Sequence, residues 1–336
     1  MDKFGKVNFA SATKYSLMDF EKAKLEFLEF TQAIHDDEDR SQFYEWMRDV
    51  VLPEFWQTPK PGHNPEEGSK MLELIAGDIR SQMPLEAILK SETIVFPTVG
   101  EDASLNPSNS VHVDAFLYDE DGEEALAQEG LLCRNYCGDC GSRNIKEMNI
   151  ITHSCSNARL RNIFNMLPSL VGKTLIDIGS RIGAVLWGAY CYSHAAKIVG
   201  IEINTDLCSL QRAVVEKFRL ADRITVLEGD MCGLAETIKT GDVVILNNVF
   251  DWFMAPDLQV KMWQFLRATL SPGALLVTIP SLETSLEVLD TGIDLNTWVR
   301  PFPSANGSQV TSNGNDDMDF DEVETSEVSL YQILET

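Results

Sequence analysis

Apolar and polar positions follow two different rhythms along the chain. Between residues 173 and 280, short continuous apolar runs alternate with stretches whose apolar residues recur every three or four positions. The runs Lys173–Ile178, Lys197–Ile203, Ile224–Asp230, Val243–Phe250 and Ala274–Pro280 have the unbroken Val/Ile/Leu character of strands covered on both faces. Helical spacing fills the gaps over Asp206–Leu220, with Leu207, Leu210, Val214 and Phe218 on one face, and over Pro256–Leu270, with Leu258, Met262, Phe265 and Leu266. This alternation predicts an α/β class: a doubly wound, mostly parallel, Rossmann-like sheet with right-handed crossovers, which binds ligands along the carboxyl ends of its strands.

Ahead of this region the pattern is helical and then extended. Ser16-Leu-Met-Asp19 has capping-box character and opens a helix carrying Leu17, Phe20, Phe27 and Ile34 on one face. A second helix starts near Ser41, with Phe43, Trp46, Met47, Val50 and Val51, and is bent or ended by Pro53. Residues 59–65 read as a linker, and a third helical region runs from about Ser69 to Lys90 with an interruption at Pro84. Residues 1–92 are therefore expected to be a helical N-terminal module whose aromatic stripe is core. Residues 93–155 are an extended connector with Val111–Tyr118 as its best strand, His112 on the solvent side and a turn at Asp119–Gly122. From Ser156 to Leu167 a capped helix turns Leu160, Ile163, Phe164 and Leu167 inward and leads into the domain 156–336, where it is expected to close one side of a ligand pocket. Ser281–Leu289 reads as a short helix, and Thr297–Phe302 and Glu327–Leu334 as two last strands, joined by an acidic loop at about 303–325 that is expected to be disordered.

The chemistry gathers where the strands end. Gly179 and Gly183 permit a tight turn after the first strand and close approach of a ligand to backbone N–H groups at the start of the next helix. Glu202 ends the second strand at an offset suited to holding ribose hydroxyls, Asp230 follows the third, and Asn247, Asn248 and Phe250 follow the fourth. An NAD-dependent oxidoreductase shares this logic, but Gly179-x-x-x-Gly183 lacks the three-glycine spacing and leaves the amide pair without a role.

Asp177-x-Gly179-x-x-x-Gly183, Glu202, Gly229-Asp230, Asn247-Asn248 and Ser271-Pro-Gly273 together resemble the successive motifs of class I S-adenosylmethionine-dependent methyltransferases, over about residues 156–300. Asp177-x-Gly179-Ser180 with Asn247-Asn248-x-Phe250 is more loosely similar to the non-SET histone lysine methyltransferases. The resemblance implies a methyltransferase in which Asp177, Gly179, Ser180 and Gly183 shape the pocket for the amino acid end of S-adenosylmethionine. It implies that Glu202 binds the ribose, that Asp230 binds the adenine amine, and that Asn247, adjoining the cofactor, lines the acceptor opening with Asn248 and Phe250. Trp252 and Phe253 either wall that opening or pack in the core. Arg181 departs from the family pattern, which has a second glycine there; its side chain is expected either to crowd the cofactor or to lie outward. A non-catalytic scaffold that keeps the fold and recruits a basic partner is the alternative reading.

Charge narrows the acceptor and cysteines raise a second site. With 52 acids against 27 bases, a formal net charge of −25, the chain is unsuited to sequence-independent binding of phosphate backbones, so the acceptor is expected to be a basic protein side chain or a small molecule rather than nucleic acid. Part of the acidity is local, since neither Lys nor Arg occurs after Arg300. The seven scattered cysteines and the absence of a signal-peptide core at the first residues suit the cytosol or nucleus. Cys137-x-x-Cys140, with Cys133, Cys155 and His153 nearby, has spacing compatible with tetrahedral zinc. The same cysteines also fit free thiols in a connector, or the cluster loop of radical S-adenosylmethionine enzymes, although the doubly wound pattern speaks against the latter. Cys191, Cys208 and Cys232 are read as core fillers, and His35 and His63 as solvated.

Overall fold

The computed structural model describes residues 65–138, 144–303 and 328–335, together with positions 30, 31, 33, 34, 36, 39–41 and 43. The chain divides into two compact units, Met1–Thr58 and Pro59–Thr336. In the first, the described backbone is helical at residues 30–31, 39–41 and 43, and the rings of Phe30 and Phe43 meet edge-on with centroids 5.6 Å apart. The expected helix start at Ser16, most of the helix from Ser41, His35, His63, Cys140 and residues 304–327 of the acidic loop lie outside the described residues.

In the second unit the chain first forms α1 (Pro65–Arg80), β1 (Ser110–His112), α2 (Glu120–Gln128), β2 (Asn135–Cys137), β3 (Ile145–Glu147) and β4 (Asn149–Ile151). Next come α3 (Asn157–Met166), β5 (Thr174–Ile178), α4 (Ala184–Tyr192), β6 (Lys197–Glu202), α5 (Thr205–Lys217), β7 (Ile224–Glu228) and α6 (Ala235–Ile238). The chain ends with β8 (Val243–Asn247), α7 (Pro256–Thr269), β9 (Leu275–Ile279), α8 (Leu282–Glu287), α9 (Leu295–Trp298), β10 (Val299–Pro301) and β11 (Ser329–Ile333).

One seven-stranded sheet, in the order β10-β11-β9-β8-β5-β6-β7, organises this unit. Its central strands pair in parallel, and only β11 runs antiparallel to its neighbours β9 and β10. The chain leaves β5 toward β6 and β7, then returns to the other side of β5 for β8 and β9, so the strand order reverses beside β5. Ligands of open α/β sheets sit at such a reversal.

Side-chain alternation sorts the strand residues onto two cores. Leu175, Ile198 and Val243 face one, with Trp187, Leu160 and Phe164; Ile176, Val199 and Val244 face the other, with Trp263, Leu266 and Trp298. Helix α1 belongs to the first: Met71, Leu72, Ile75 and Ile79 are buried in the cluster that contains Leu160 and Trp187. The break in the structure therefore lies between Thr58 and Pro59. A module ending at residue 92 would expose the apolar face of α1.

Two expectations in the connector are corrected. The strand begun at Val111 stops at His112, because the Asp114 carboxylate accepts the Phe116 N–H at 3.1 Å while its carbonyl accepts those of Leu117 and Tyr118, turning the chain. Asp119 then accepts the Gly122 N–H at 2.9 Å and caps α2, where only a turn was expected. The Ser156 cap on α3 and the burial of Leu160, Ile163, Phe164 and Leu167 follow the sequence pattern.

Candidate functional site

The turn after β5 is held by side chains from three directions. Gly179 (φ 75°) and Gly183 (φ 86°) adopt left-handed backbone; a Cβ on Gly183 would lie 2.4 Å from the buried Trp187 ring, so glycine is required there by both conformation and space. Arg181 is also left-handed, at φ 48°. From α5, the buried Gln211 accepts the Ser180 hydroxyl at 2.9 Å and donates to the Arg181 carbonyl at 2.6 Å.

The Arg181 side chain neither crowds the cavity nor points to solvent. Its guanidinium turns back into the protein, pairing through Nε with Glu92 Oε1 at 3.0 Å and through a terminal nitrogen with Asp114 Oδ2 at 2.9 Å, while also donating to the Ala87 carbonyl. All three ionic side chains are 7% exposed or less. Arg181 thereby ties the segment 87–92 and the turn at Asp114 to the backbone beside Gly179.

Glu202 anchors the same turn from β6. Its two carboxylate oxygens accept the backbone N–H groups of Arg181 at 2.9 Å and Asn204 at 2.8 Å, using one acceptor position on each and leaving the others for a ligand. Burial raises its pKa, and the backbone hydrogen bonds oppose that rise. A cavity of about 470 Å³ opens above these strand ends. Gly179, Glu202, Asp230, Asn247, Asn248 and Phe250 line it, as expected of site residues.

Asp177, Ser180 and Gly183 do not line the cavity. Asp177 is 2% exposed, with its pKa raised well above the usual carboxylate range by burial and then by Glu202. Ser180 faces Gln211 and Gly183 lies under Trp187, so these three shape the turn from behind. Nor does α3 wall this cavity. Phe250 is largely core, 3% exposed and edge-on to Trp263 at 5.2 Å, and Trp252 is buried at 1%. Phe253 also borders the cavity, beside His153.

The His112–His153 pair was invisible in the sequence. His112 is half-buried, not a surface residue: its Nδ1 lies 3.0 Å from His153 Nε2, the rings stack at 5.1 Å, and Trp252 meets both edge-on. His153 is 8% exposed, and burial, then the charges of Arg181 and His112, lower its pKa to about 2. Below an unfolded value of 6.5, the unfolded chain therefore takes up a proton that the folded protein refuses. Stability is expected to fall as pH drops from 6.5 toward 2, by up to about 1.4 kcal/mol per pH unit from His153. Denaturant titrations between pH 7 and 4.5 on the unmodified protein and His153→Phe check this; equal slopes would mean that His153 is not held neutral.

The sheet is the doubly wound parallel kind, closed by the terminal antiparallel pair β10–β11, with a glycine turn after β5 and an acid ending β6. This is the class I methyltransferase fold. No protein-family profile matches the chain. A stretch of 136 residues, 39% of the chain, is 24% identical to Probable methyltransferase ltbC of Aspergillus luteorubrus and spans 47% of that protein, less than half its length. Among solved structures, an RNA methyltransferase from Salinibacter ruber, in complex with S-adenosyl-L-homocysteine, is 22% identical over 49% of this chain and 82% of its own, with a TM-score of 0.30. A methyltransferase from Geobacter sulfurreducens is 18% identical over 53% of this chain and 78% of its own, at a TM-score of 0.34.

On this methyltransferase scaffold the described connector cysteines, Cys133, Cys137 and Cys155, are not gathered into a zinc site, and Cys140 lies outside the described residues. Cys155 is fully buried in the first core, Cys133 and Cys137 are exposed, and the Cys133 thiol donates to the Asn135 carbonyl at 3.1 Å. His153 is committed to His112. Among the described residues no group of three or more His, Cys, Asp or Glu is placed to hold a metal. Burial pushes the Cys191 thiol up to about 12 and Cys208 up to about 11, as suits core fillers, whereas Cys232 is exposed. Ser91, Glu92 and Thr93, and Met231, Met254 and Met262, are also part of the cavity wall. No motif marks them, because they reach the cavity through packing alone.

Proposed function

We propose that this chain is a methyltransferase that binds S-adenosylmethionine in the cavity above β5, β6 and β8 and methylates a nitrogen acceptor. The observation that carries the reading is Glu202: a buried carboxylate at the end of β6, oriented by two backbone N–H groups and bordering a cavity large enough for a nucleoside-sized ligand. Glu202 then accepts the ribose hydroxyls, Asp230 the adenine amine, and Gly179 leaves room for the amino acid end. When bound, S-adenosylmethionine would supply an electrophilic methyl group carried on a sulfonium.

The chain's own work is positioning and exclusion of water. Because Glu92 is paired with Arg181, Glu202 and Asp230 are the acids left to face the cavity, which suits a cationic cofactor. Asn247 and Asn248 stand on the side of the cavity where β8 ends, and Asn247 Nδ2 lies 3.5 Å from the His153 carbonyl. That contact leaves the Asn247 oxygen to accept from an acceptor amine. Because Arg181 is turned away from the cavity interior, the departure from the family's glycine pattern is no obstacle to binding.

The net charge of −25 favours a basic or small acceptor over a nucleic acid. Isothermal titration with S-adenosylmethionine and S-adenosylhomocysteine tests the reading, together with label transfer from S-adenosylmethionine into protein, RNA and small-molecule fractions of an extract. Saturable binding of both ligands and label in a nitrogen-containing product are expected. Absence of heat and of thermal shift with either ligand would leave a scaffold.

A further inference from the structure

A second cavity, of about 640 Å³, adjoins the first across the wall formed by Asn247, Asn248 and Met254, which line both. Its far side is built from the segment 95–102, from the start of α7 and from α8. Methyl transfer needs the acceptor atom in line with the donor, so the acceptor must approach through a space contiguous with the cofactor cavity. Among the described residues, this second cavity shares that wall and has the volume of a small-molecule site.

The charge of its lining identifies a class of occupant. Asp102, Glu123 and Asp251 line the cavity, against Arg159 as its one cationic side chain. Asp102 receives the Trp252 indole N–H at 3.1 Å, which fixes its carboxylate. No donor among the described residues reaches the Asp251 carboxylate, and the Asn248 side-chain oxygen on the shared wall is buried without a partner. Burial, then the charge of Asp102, raises the Asp251 pKa. Two neighbouring carboxylates, one of them without a donor, beside an unpaired amide oxygen make a receptor for groups that are positive and donate hydrogen bonds.

Resting on the methyltransferase reading, the geometry points to this cavity as the acceptor site, and to an acceptor that is a small molecule with an ammonium at one end, held by Asp251 and Asp102, and a neutral nitrogen at the other, faced by Asn248. The lone pair of that nitrogen forms the new N–CH3 bond as the S–CH3 electron pair stays on sulfur, and its proton then passes to solvent. A single lysine side chain would leave most of a 640 Å³ space unfilled, and an anionic acceptor would meet two uncompensated carboxylates.

The test is calorimetric and needs no turnover. The whole chain is first titrated with S-adenosylhomocysteine, and the saturated protein is then titrated with 1,5-diaminopentane, agmatine and histamine as cationic probes and with glutarate as an anionic one. At least one cationic probe is expected to bind and glutarate is not. Asp251→Asn and Asp102→Asn are each expected to weaken the cation about tenfold or more, with S-adenosylhomocysteine affinity unaltered. If S-adenosylhomocysteine itself fails to bind, the methyltransferase reading falls and this inference falls with it. If it binds but no cation does up to 50 mM (roughly the ceiling of weak small-ligand affinity), or glutarate binds instead, the acceptor assignment alone is overturned. Cation binding that both variants leave unchanged would also overturn it, by placing the cation elsewhere.

Discussion

Replacing Arg181 by alanine is expected to destabilise the second unit by about 3–5 kcal/mol, measured as a lower denaturant midpoint at unchanged m-value. The loss comes from what the substitution leaves behind. Glu92 and Asp114 are 5% and 2% exposed at the side chain, and each meets the guanidinium at 2.9–3.0 Å. Without it, two carboxylates and the Ala87 carbonyl are buried without their cation. Other contacts remain but are insufficient: Glu92 also accepts the Leu89 N–H at 2.7 Å and Asp114 the Ser154 hydroxyl at 2.7 Å, neither of which carries a positive charge.

Against a total stability of about 5–15 kcal/mol for a typical domain, this change brings the protein close to unfolding. Arg181→Lys is expected to rescue little, because one ammonium cannot serve the forked geometry that reaches Glu92, Asp114 and Ala87 together. Adding Glu92→Gln and Asp114→Asn to Arg181→Ala should recover part of the loss by removing the stranded charges. The family-like Arg181→Gly is expected to behave as Arg181→Ala, without improving cofactor affinity. A change below about 1 kcal/mol would mean that the three side chains are not the buried network described.

Glu202→Ala is expected to weaken S-adenosylmethionine binding by about ten- to a hundredfold, corresponding to about 1.5–3 kcal/mol for charge-assisted hydrogen bonds in a largely dry site. The substitution has a structural cost as well. The carboxylate also holds the N–H groups of Arg181 and Asn204, so a stability loss of about 1–3 kcal/mol should accompany the loss of affinity. The sequence alone suggests a side chain that serves only the ligand; the structure makes it a brace for the glycine turn too. Calorimetry well below the variant's melting temperature separates the two effects. Affinity equal to that of the unmodified protein would remove Glu202 from the ribose site and with it the proposed cofactor pose.

The five parallel strands, the helices between them, the Ser156 cap and the terminal strand pair were all legible in the residues, because periodicity and capping are local and each is set by a few neighbouring side chains. Strand ends were legible for the same reason, so Gly179, Glu202, Asp230 and Asn247 fall where a doubly wound sheet exposes its carboxyl edge. The strand expected over Val111–Tyr118 illustrates the limit: its alternation is sound, but Asp114 leaves the pattern to meet Arg181, a residue 67 positions away.

Tertiary structure decided which acid faces the cavity and which stays behind the turn: Asp177 and Glu202 share one face of the sheet, but Asp177 pairs with Gly200, so Glu202 stands two residues further along, at the carboxyl edge. It decided that α1 belongs to the same core as Trp187, and that Arg181 is an anchor within the fold. It also decided that His112 pairs with His153, across 41 residues. Local pattern determined the sheet and its ligand edge because hydrophobic spacing and turn chemistry act over a few residues. Charge pairing and cavity lining were settled only by folding, because burial makes an ion pair or a cavity wall out of side chains whose separation along the chain carries no signal.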